Sequence, residues 1–285
     1  MPVLSGADLE HWKAHGYVVA RHVISAEQAA RTADEIWRFA ARADHAHLDW
    51  HIGPRSDPES WYEKLPDSRR GHVEMYHGKH QWANRTAARV HEAFSQIHCS
   101  GKLTCSVDRA CINPPSRNKD EALGPSGLHW DRMPLYSCNV EAHGHHIKAK
   151  PHHKSVWDVI ADYPPAGEQL QRSVDAAAHG ESHDIQGVLY LTDVPADAAA
   201  FTVVPGFQHR IKGWLQSLPP EAAPSRQDLM SLGAVPVPGA AGDLVIWNSL
   251  CPHAGGVNHN TDGATRVVQF LGYVSLLGLL LPPSP

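Results

Sequence analysis

Gly242-Asp243-Leu244-Val245-Ile246-Trp247-Asn248-Ser249-Leu250-Cys251-Pro252-His253 sets a tight turn before an apolar run and ends on a histidine. The run Leu244–Trp247 is short, apolar and bounded by turn residues, so it reads as a strand. Three other runs share that character: Ile185–Leu191, Phe201–Val204 and Val267–Val274. Leu103 to Asn113 alternates instead. That puts Leu103, Cys105, Val107, Arg109, Cys111 and Asn113 on one face of a strand that Pro114-Pro115 ends. The front of the chain has a different period. Ser5 caps a helix that Gly16 stops, and Tyr17–Ala20 is a short strand. Ser25 with Gln28 opens a second helix, whose Ala29, Ala33, Ile36, Trp37 and Ala40 share a face. Residues 44–72 read as loop and 86–98 as a third helix. A helical front and a strand-rich back describe a mainly β chain with flanking helices, built around one barrel or sandwich. We expect one domain over residues 1–285, with a helical front at about 5–98 and a β core at about 103–275. The stretch 139–184 reads as a long, irregular, lid-like insert, and loops of that length are usually functional.

Composition narrows the function classes. The chain has 285 residues, of which 42% are hydrophobic, enough for a sizeable core. The net charge of −5, with no sustained Lys/Arg stripe, argues against nucleic acid or an anionic membrane as partner. Five cysteines without a CxxC spacing fit a reducing compartment rather than a disulfide framework. Met1 to Glu10 has neither a basic start nor an apolar run, and Val274 to Leu281 is far short of a membrane span. A cytoplasmic location is expected. The 22 histidines make the charge rise steeply as pH falls through about 6.5.

Leu128-His129-Trp130-Asp131-Arg132 carries the sharpest chemical signal. On an extended segment residues i and i+2 point the same way, so His129 and Asp131 can converge on one ion while Trp130 turns away. An imidazole and a carboxylate are two thirds of the facial triad that binds non-haem Fe(II). Alone the pair is a weak motif in so histidine-rich a chain. Its context is the strand that delivers His253, followed thirteen residues later by Arg266. A buried Arg beside a metal can hold a carboxylate with its planar fork. Val203-Val204-Pro205-Gly206-Phe207-Gln208-His209 lies between them, a strand ending in a Pro-Gly turn.

These four motifs, in this order and spacing, resemble the phytanoyl-CoA dioxygenase family, Fe(II)- and 2-oxoglutarate-dependent oxygenases on a double-stranded β-helix (a jelly roll, cupin-like). The resemblance spans roughly residues 5–275 and includes the opening strand and helix. It implies that His129, Asp131 and His253 are the iron ligands and that Arg266 pairs with the distal carboxylate of 2-oxoglutarate. Arg109 falls where the family contacts the cosubstrate, and Gln186, on a strand face with Val188 and Tyr190, also faces the cavity. O2 is the co-reactant, and the substrate would be oxidised at a C–H bond with release of succinate and CO2. Departures exist. Ala198-Ala199 replaces the usual Asn-Gly turn, Val188 replaces a common Trp, and the His253-to-Arg266 spacing is about two residues long. These separate the chain from the founding acyl-CoA enzyme. They favour a small-molecule substrate, with secondary metabolites and amino-acid derivatives among the classes to test. Asp131, rather than Ala or Gly, leaves no place for halide, so the site reads as that of a hydroxylase. Two other readings stay open: a cupin-like metalloenzyme that does not use 2-oxoglutarate, and a non-catalytic small-molecule binding barrel. The motifs leave oligomeric state undetermined.

Three segments hold further polar clusters. His143 to His153 contains five histidines and two lysines, which suits a mobile loop, a lid or a second metal site. Tyr76, His77, His80 and Trp82 precede the barrel, where the substrate pocket is often lined. Cys251 reads as an inert buried thiol, because no base is placed beside it.

Overall fold

The computed structural model describes residues 2–40, 71–115, 127–132, 134–140, 147–182 and 184–275. Most of the 44–72 stretch and His143, His145 and His146 lie outside them. Helix α1 (Gly6–His15) is capped by the Ser5 side chain, which accepts the Asp8 N–H, and ends at Gly16 with φ 72°. A side chain at Gly16 would be excluded twice. The left-handed φ disfavours it, and a Cβ would lie 2.5 Å from Gln208 Oε1 and 2.7 Å from Cys251 Sγ. Strand β1 (Tyr17–Ala20) follows, then helix α2 (Ala26–Ala40), strand β2 (His72–Val73) and helices α3 (Lys79–Arg85) and α4 (Ala88–His98).

The strand-rich half contains β3 (Leu103–Cys105), β4 (Ala110–Asn113), β5 (Ile185–Tyr190), β6 (Phe201–Val203), β7 (Val235–Val237), β8 (Leu244–Asn248), β9 (His253–Gly255), β10 (Arg266–Leu271) and β11 (Tyr273–Ser275). The large sheet is antiparallel, in the order β1-β8-β5-β10-β4-β2, and the small one runs β7-β6-β9. The period-2 pattern divides the side chains. From β5, Val188 and Tyr190 enter a core shared with Phe201, Val203 and Val237 of the small sheet. Ile185 and Leu189 enter a second core with Ile36, Trp37, Val90 and Phe94 of the helices. Two facing antiparallel sheets with helices on the outer face form the double-stranded β-helix that the motifs imply.

Two expectations change. The single strand from Leu103 to Asn113 is broken. Five steps from Cys105 to Ala110 face only four from Gln269 to Tyr273, so a bulge intervenes. Arg85 braces it, its Nη2 donating to the Asp108 carbonyl at 2.7 Å. An uninterrupted alternation cannot show one extra residue, and Val107, expected on the inward face, is exposed. Within 139–184, two helices replace irregular chain: α5 (Val156–Ala161) and α6 (Ala166–Ala178). Ser155 and Asp158 form a capping box at the start of α5, and Trp157 lies under the Lys212 ammonium on helix α7 (Ile211–Ser217). Among the described residues no helix is long and apolar enough to cross a membrane.

Candidate metal centre

His129 and His253 are direct antiparallel partners. Each backbone N–H donates to the other's carbonyl at 3.0 Å. Opposed residues project to the same side of a ladder, so both rings face the cavity. His253 also opens β9, opposite Val203. Asp131, two residues after His129, turns to that side too. Its Oδ1 lies 3.3 Å from His129 Nε2 and its Oδ2 3.2 Å from His253 Nε2. Trp130 points the other way and is buried against Phe207 and Trp214, its Nε1 donating to the Leu250 carbonyl at 2.9 Å. This anchor fixes the backbone from which both neighbours project.

The ring orientations show which nitrogens are available. His129 Nδ1 is 3.0 Å from the Gly127 carbonyl, and His253 Nδ1 is 3.0 Å from the Cys251 carbonyl. A carbonyl only accepts, so each Nδ1 carries a hydrogen, and the Nε2 that faces Asp131 is the atom that holds the lone pair when the ring is neutral. Outer hydrogen bonds of this kind are what orient metal-bound imidazoles. The three ligand atoms lie within 4.8 Å of one another. Burial raises the Asp131 pKa, but in the metal-free centre hydrogen bonds from protonated Nε2 atoms of His129 and His253 outweigh it and hold the carboxyl well below its ordinary range; a metal ion would take the place of those protons. His253 is buried while His129 and Asp131 are about half exposed, so the centre opens on one side. Two imidazole nitrogens and a carboxylate on one open face suit a divalent first-row metal with coordination positions to spare.

Arg266, the first residue of β10, is 2% exposed and lies opposite Asn113. Its Nη1 donates to Asn113 Oδ1 at 2.8 Å, while its Nε is buried with no hydrogen-bond partner. Among the described residues it forms no ion pair, so a buried cation is held ready for an anion. Gly255, two residues beyond His253, keeps the intervening space open. A Cβ there would come within 3.3 Å of Arg266 Nη1. Cys111 is nearby on β4, and burial pushes its thiol up to about 11, more than Arg266 and Arg109 lower it. It therefore adds no negative charge beside Arg266.

Arg109 has other partners. It follows the bulge, is about a third exposed, and pairs with Glu74 at 2.8 Å and Asp108 at 3.6 Å. Gln186 does reach the triad, where its Nε2 donates to Asp131 Oδ2 at 2.7 Å. Its visible contact is thus the carboxylate of the triad. The sequence pattern places Asn113 on the inward face without giving it a task, and it shows neither the opening at Gly255 nor the contacts of Arg132. Those depend on partners far away in the chain. The segment around Tyr76, His77 and His80 lines a cavity of about 770 Å³ with Arg31, Glu35 and Glu74, and its described lining excludes the triad.

A second His-His-Asp group lies at the foot of α5. Asp162 Oδ2 receives Lys150 Nζ at 2.7 Å, with His153 Nε2 at 3.3 Å and His152 Nε2 at 3.5 Å. The Lys150 backbone N–H donates to His153 Nδ1 at 3.0 Å. That ring's hydrogen is therefore on Nε2, facing Asp162, and Lys150 already occupies the carboxylate. Of the group's histidines, the buried one is a hydrogen-bond donor to Asp162, so the second metal site considered from the sequence lacks a free ligand nitrogen there.

Fold and site together are those of a double-stranded β-helix with a candidate centre for a non-haem metal. The sequence profile of the phytanoyl-CoA dioxygenase family matches residues 12–267, and the chain belongs to that family. Its cofactors are Fe(II) and 2-oxoglutarate, with O2 as co-reactant. A Dictyostelium discoideum relative named for the same family is 23% identical over 275 residues, covering 92% of this chain and 73% of its own. Among solved structures, the epimerase SnoN in complex with Fe3+, α-ketoglutarate and nogalamycin RO aligns with a TM-score of 0.50 at 14% identity, covering 94% of this chain and 82% of its own. The carbocyclase SnoK from nogalamycin biosynthesis aligns with a TM-score of 0.50 at 13% identity over 100% of this chain and 95% of its own.

Proposed function

We propose that His129, Asp131 and His253 hold one Fe(II), that Arg266 receives the distal carboxylate of 2-oxoglutarate, and that the enzyme oxidises a small molecule at a C–H bond. The observation that carries this reading is the pair of Nδ1-to-carbonyl hydrogen bonds, which turn both Nε2 atoms onto one carboxylate. When bound, iron and 2-oxoglutarate supply the oxidising chemistry, consuming O2 and releasing succinate and CO2. The chain's own work is placement. Gln186 fixes the rotation of the Asp131 carboxylate, and Asn113 fixes the Arg266 guanidinium. Gly255 leaves a passage between His253 and Arg266 for the cosubstrate. Arg109 is already paired with Glu74 and Asp108, so we assign the cosubstrate carboxylate to Arg266 rather than to Arg109.

The substrate class we favour is a small metabolite rather than an acyl-CoA thioester, oxidised by hydroxylation, desaturation or ring formation. The departures at Val188 and Ala198-Ala199 support this, and SnoN, similar in fold, holds a small molecule, nogalamycin RO. Five free cysteines accord with a reduced cytoplasm as the site of action. Anaerobic titration with Fe(II) and 2-oxoglutarate tests the centre. A metal-to-ligand charge-transfer band is expected, and it should be lost in Asp131→Ala. Turnover that does not need 2-oxoglutarate would indicate the cupin-like alternative. A panel of acyl-CoA thioesters and small metabolites, scored by substrate-dependent succinate, tests the class. Coupled turnover of a long-chain acyl-CoA would overturn it.

A further inference from the structure

Asp131 lies on a bend outside any strand, so no ladder fixes it. The next residue faces the opposite way. Arg132 has a side chain only 9% exposed; it pairs with Asp184, and its Nη1 also donates to Ser173 Oγ at 3.0 Å. Ser173 is a buried position on α6. Asp184 sits immediately before β5, where its carbonyl takes the Ser249 N–H at 3.1 Å. Two residues further along stands Gln186, whose Nε2 holds Asp131 Oδ2. Two cross-links therefore run in parallel between the same short segments, Asp131 to Gln186 and Arg132 to Asp184. The arrangement is energetically unfavourable in itself. Arg132 Nε and Nη2 are buried with no hydrogen-bond partner among the described residues. An incompletely paired buried cation is usually less stable than an apolar side chain of its size. Natural proteins keep such local conflicts chiefly at functional sites.

We propose that Arg132 is a positioning residue of the metal centre. It anchors the residue after Asp131 to Asp184 and Ser173, fixes the direction of the carboxylate, and makes helix α6 a buttress behind the centre. Both contacts are made by one nitrogen, Nη1, so a lysine ammonium that reaches the same point can replace them in part. The proposal rests on the reading of His129, Asp131 and His253 as metal ligands, and the test separates the two.

The probe is Co(II), titrated anaerobically into the metal-free protein and followed by its visible bands, alongside thermal unfolding of the metal-free form. Arg132→Met should weaken Co(II) binding by roughly 10- to 100-fold, the range for groups that orient ligands. It should also alter the band envelope, while the metal-free melting temperature stays level or rises. Arg132→Lys should fall between, and Ser173→Ala should weaken binding a few-fold. A purely structural arginine predicts the reverse: a lower melting temperature with Co(II) affinity and bands unchanged. Arg132→Met within about threefold of wild type, with the wild-type spectrum, overturns the proposal. If that variant does not fold, wild-type affinity in Ser173→Ala overturns it instead. Asp131→Ala is the control. Retained Co(II) affinity there means the ligand assignment itself is wrong, whereas loss there with no effect at Arg132 and Ser173 removes only the buttress.

Discussion

Among the described residues there are two groups of two histidines and one aspartate, and they differ by the position of a proton. At His129, Asp131 and His253, backbone carbonyls take the Nδ1 hydrogens, and both Nε2 atoms are turned inward. At His152, His153 and Asp162, a backbone N–H takes the His153 Nδ1 lone pair, so that ring presents a hydrogen instead. Residue identity and spacing in space are nearly the same in the two groups. What distinguishes a ligand from a donor is the backbone atom behind the ring. A carbonyl there leaves Nε2 able to bind a metal, and an amide there leaves Nε2 a hydrogen-bond donor.

The largest effect should come from breaking the first group. Asp131→Ala or His253→Ala should lower Fe(II) or Co(II) affinity by roughly 100-fold or more, beyond the effect of an orienting group. His153→Ala and Asp162→Ala should leave the stoichiometry at one metal per chain by anaerobic equilibrium dialysis. Metal loss in His153→Ala would break the proton argument. The two arginines sharpen the contrast at the next level. Arg266→Ala should raise the 2-oxoglutarate KM by roughly 30- to several-thousand-fold, from about 2–5 kcal/mol for removing one partner of a buried charged pair. Arg109→Ala should change it by less than about fivefold, since partly exposed ion pairs contribute about 0–1 kcal/mol. Succinate release against 2-oxoglutarate concentration measures both, and equal effects would merge the roles of the two arginines.

The smallest effect belongs to the second group. Hydrogen bonds from Lys150 and His153 lower the Asp162 carboxyl from 3.8 to about 2. A depressed carboxyl contributes its stabilisation above the unfolded-state pKa and loses it as pH falls through the folded one. The difference in urea midpoint between wild type and Asp162→Asn should therefore be small but steady above about pH 4 and shrink toward pH 2. A difference that grows on acidification would mean that the carboxylate is not stabilised by these neighbours.

The proposed ligands could be singled out in the sequence because each rests on a local rule. His129 and Asp131 need only the alternation of an extended segment, and His253 and Arg266 each follow or open an apolar run. The helices at 156–161 and 166–178 were legible in part. Ser155 and Asp158 already spell a capping box, but neighbouring proline- and histidine-rich stretches conceal it. Arg109 and Gln186 show where local rules stop. The alternation that puts Arg109 inward passes through a bulge that only the pairing of β3 with β11 and β4 with β10 exposes. Gln186 was placed on the right face, but its partner comes from Asp131, 55 residues away. The protonation of each ring was likewise invisible, because it depends on the direction of a backbone amide.

The direct pairing of His129 with His253 has a consequence for how the molecule forms. Asp131 and His253 are separated by 122 positions, and neither half of the chain holds the whole ligand set. The ladder that brings them together closes a very long loop, a slow and entropically costly event in folding. Metal affinity is thereby tied to complete closure of the sheets. A metal that binds only the closed state, at a hundred times its dissociation constant, adds about 2.7 kcal/mol to global stability. Such an ion resists unfolding, and a cut anywhere that frees the strand bearing His253 releases it.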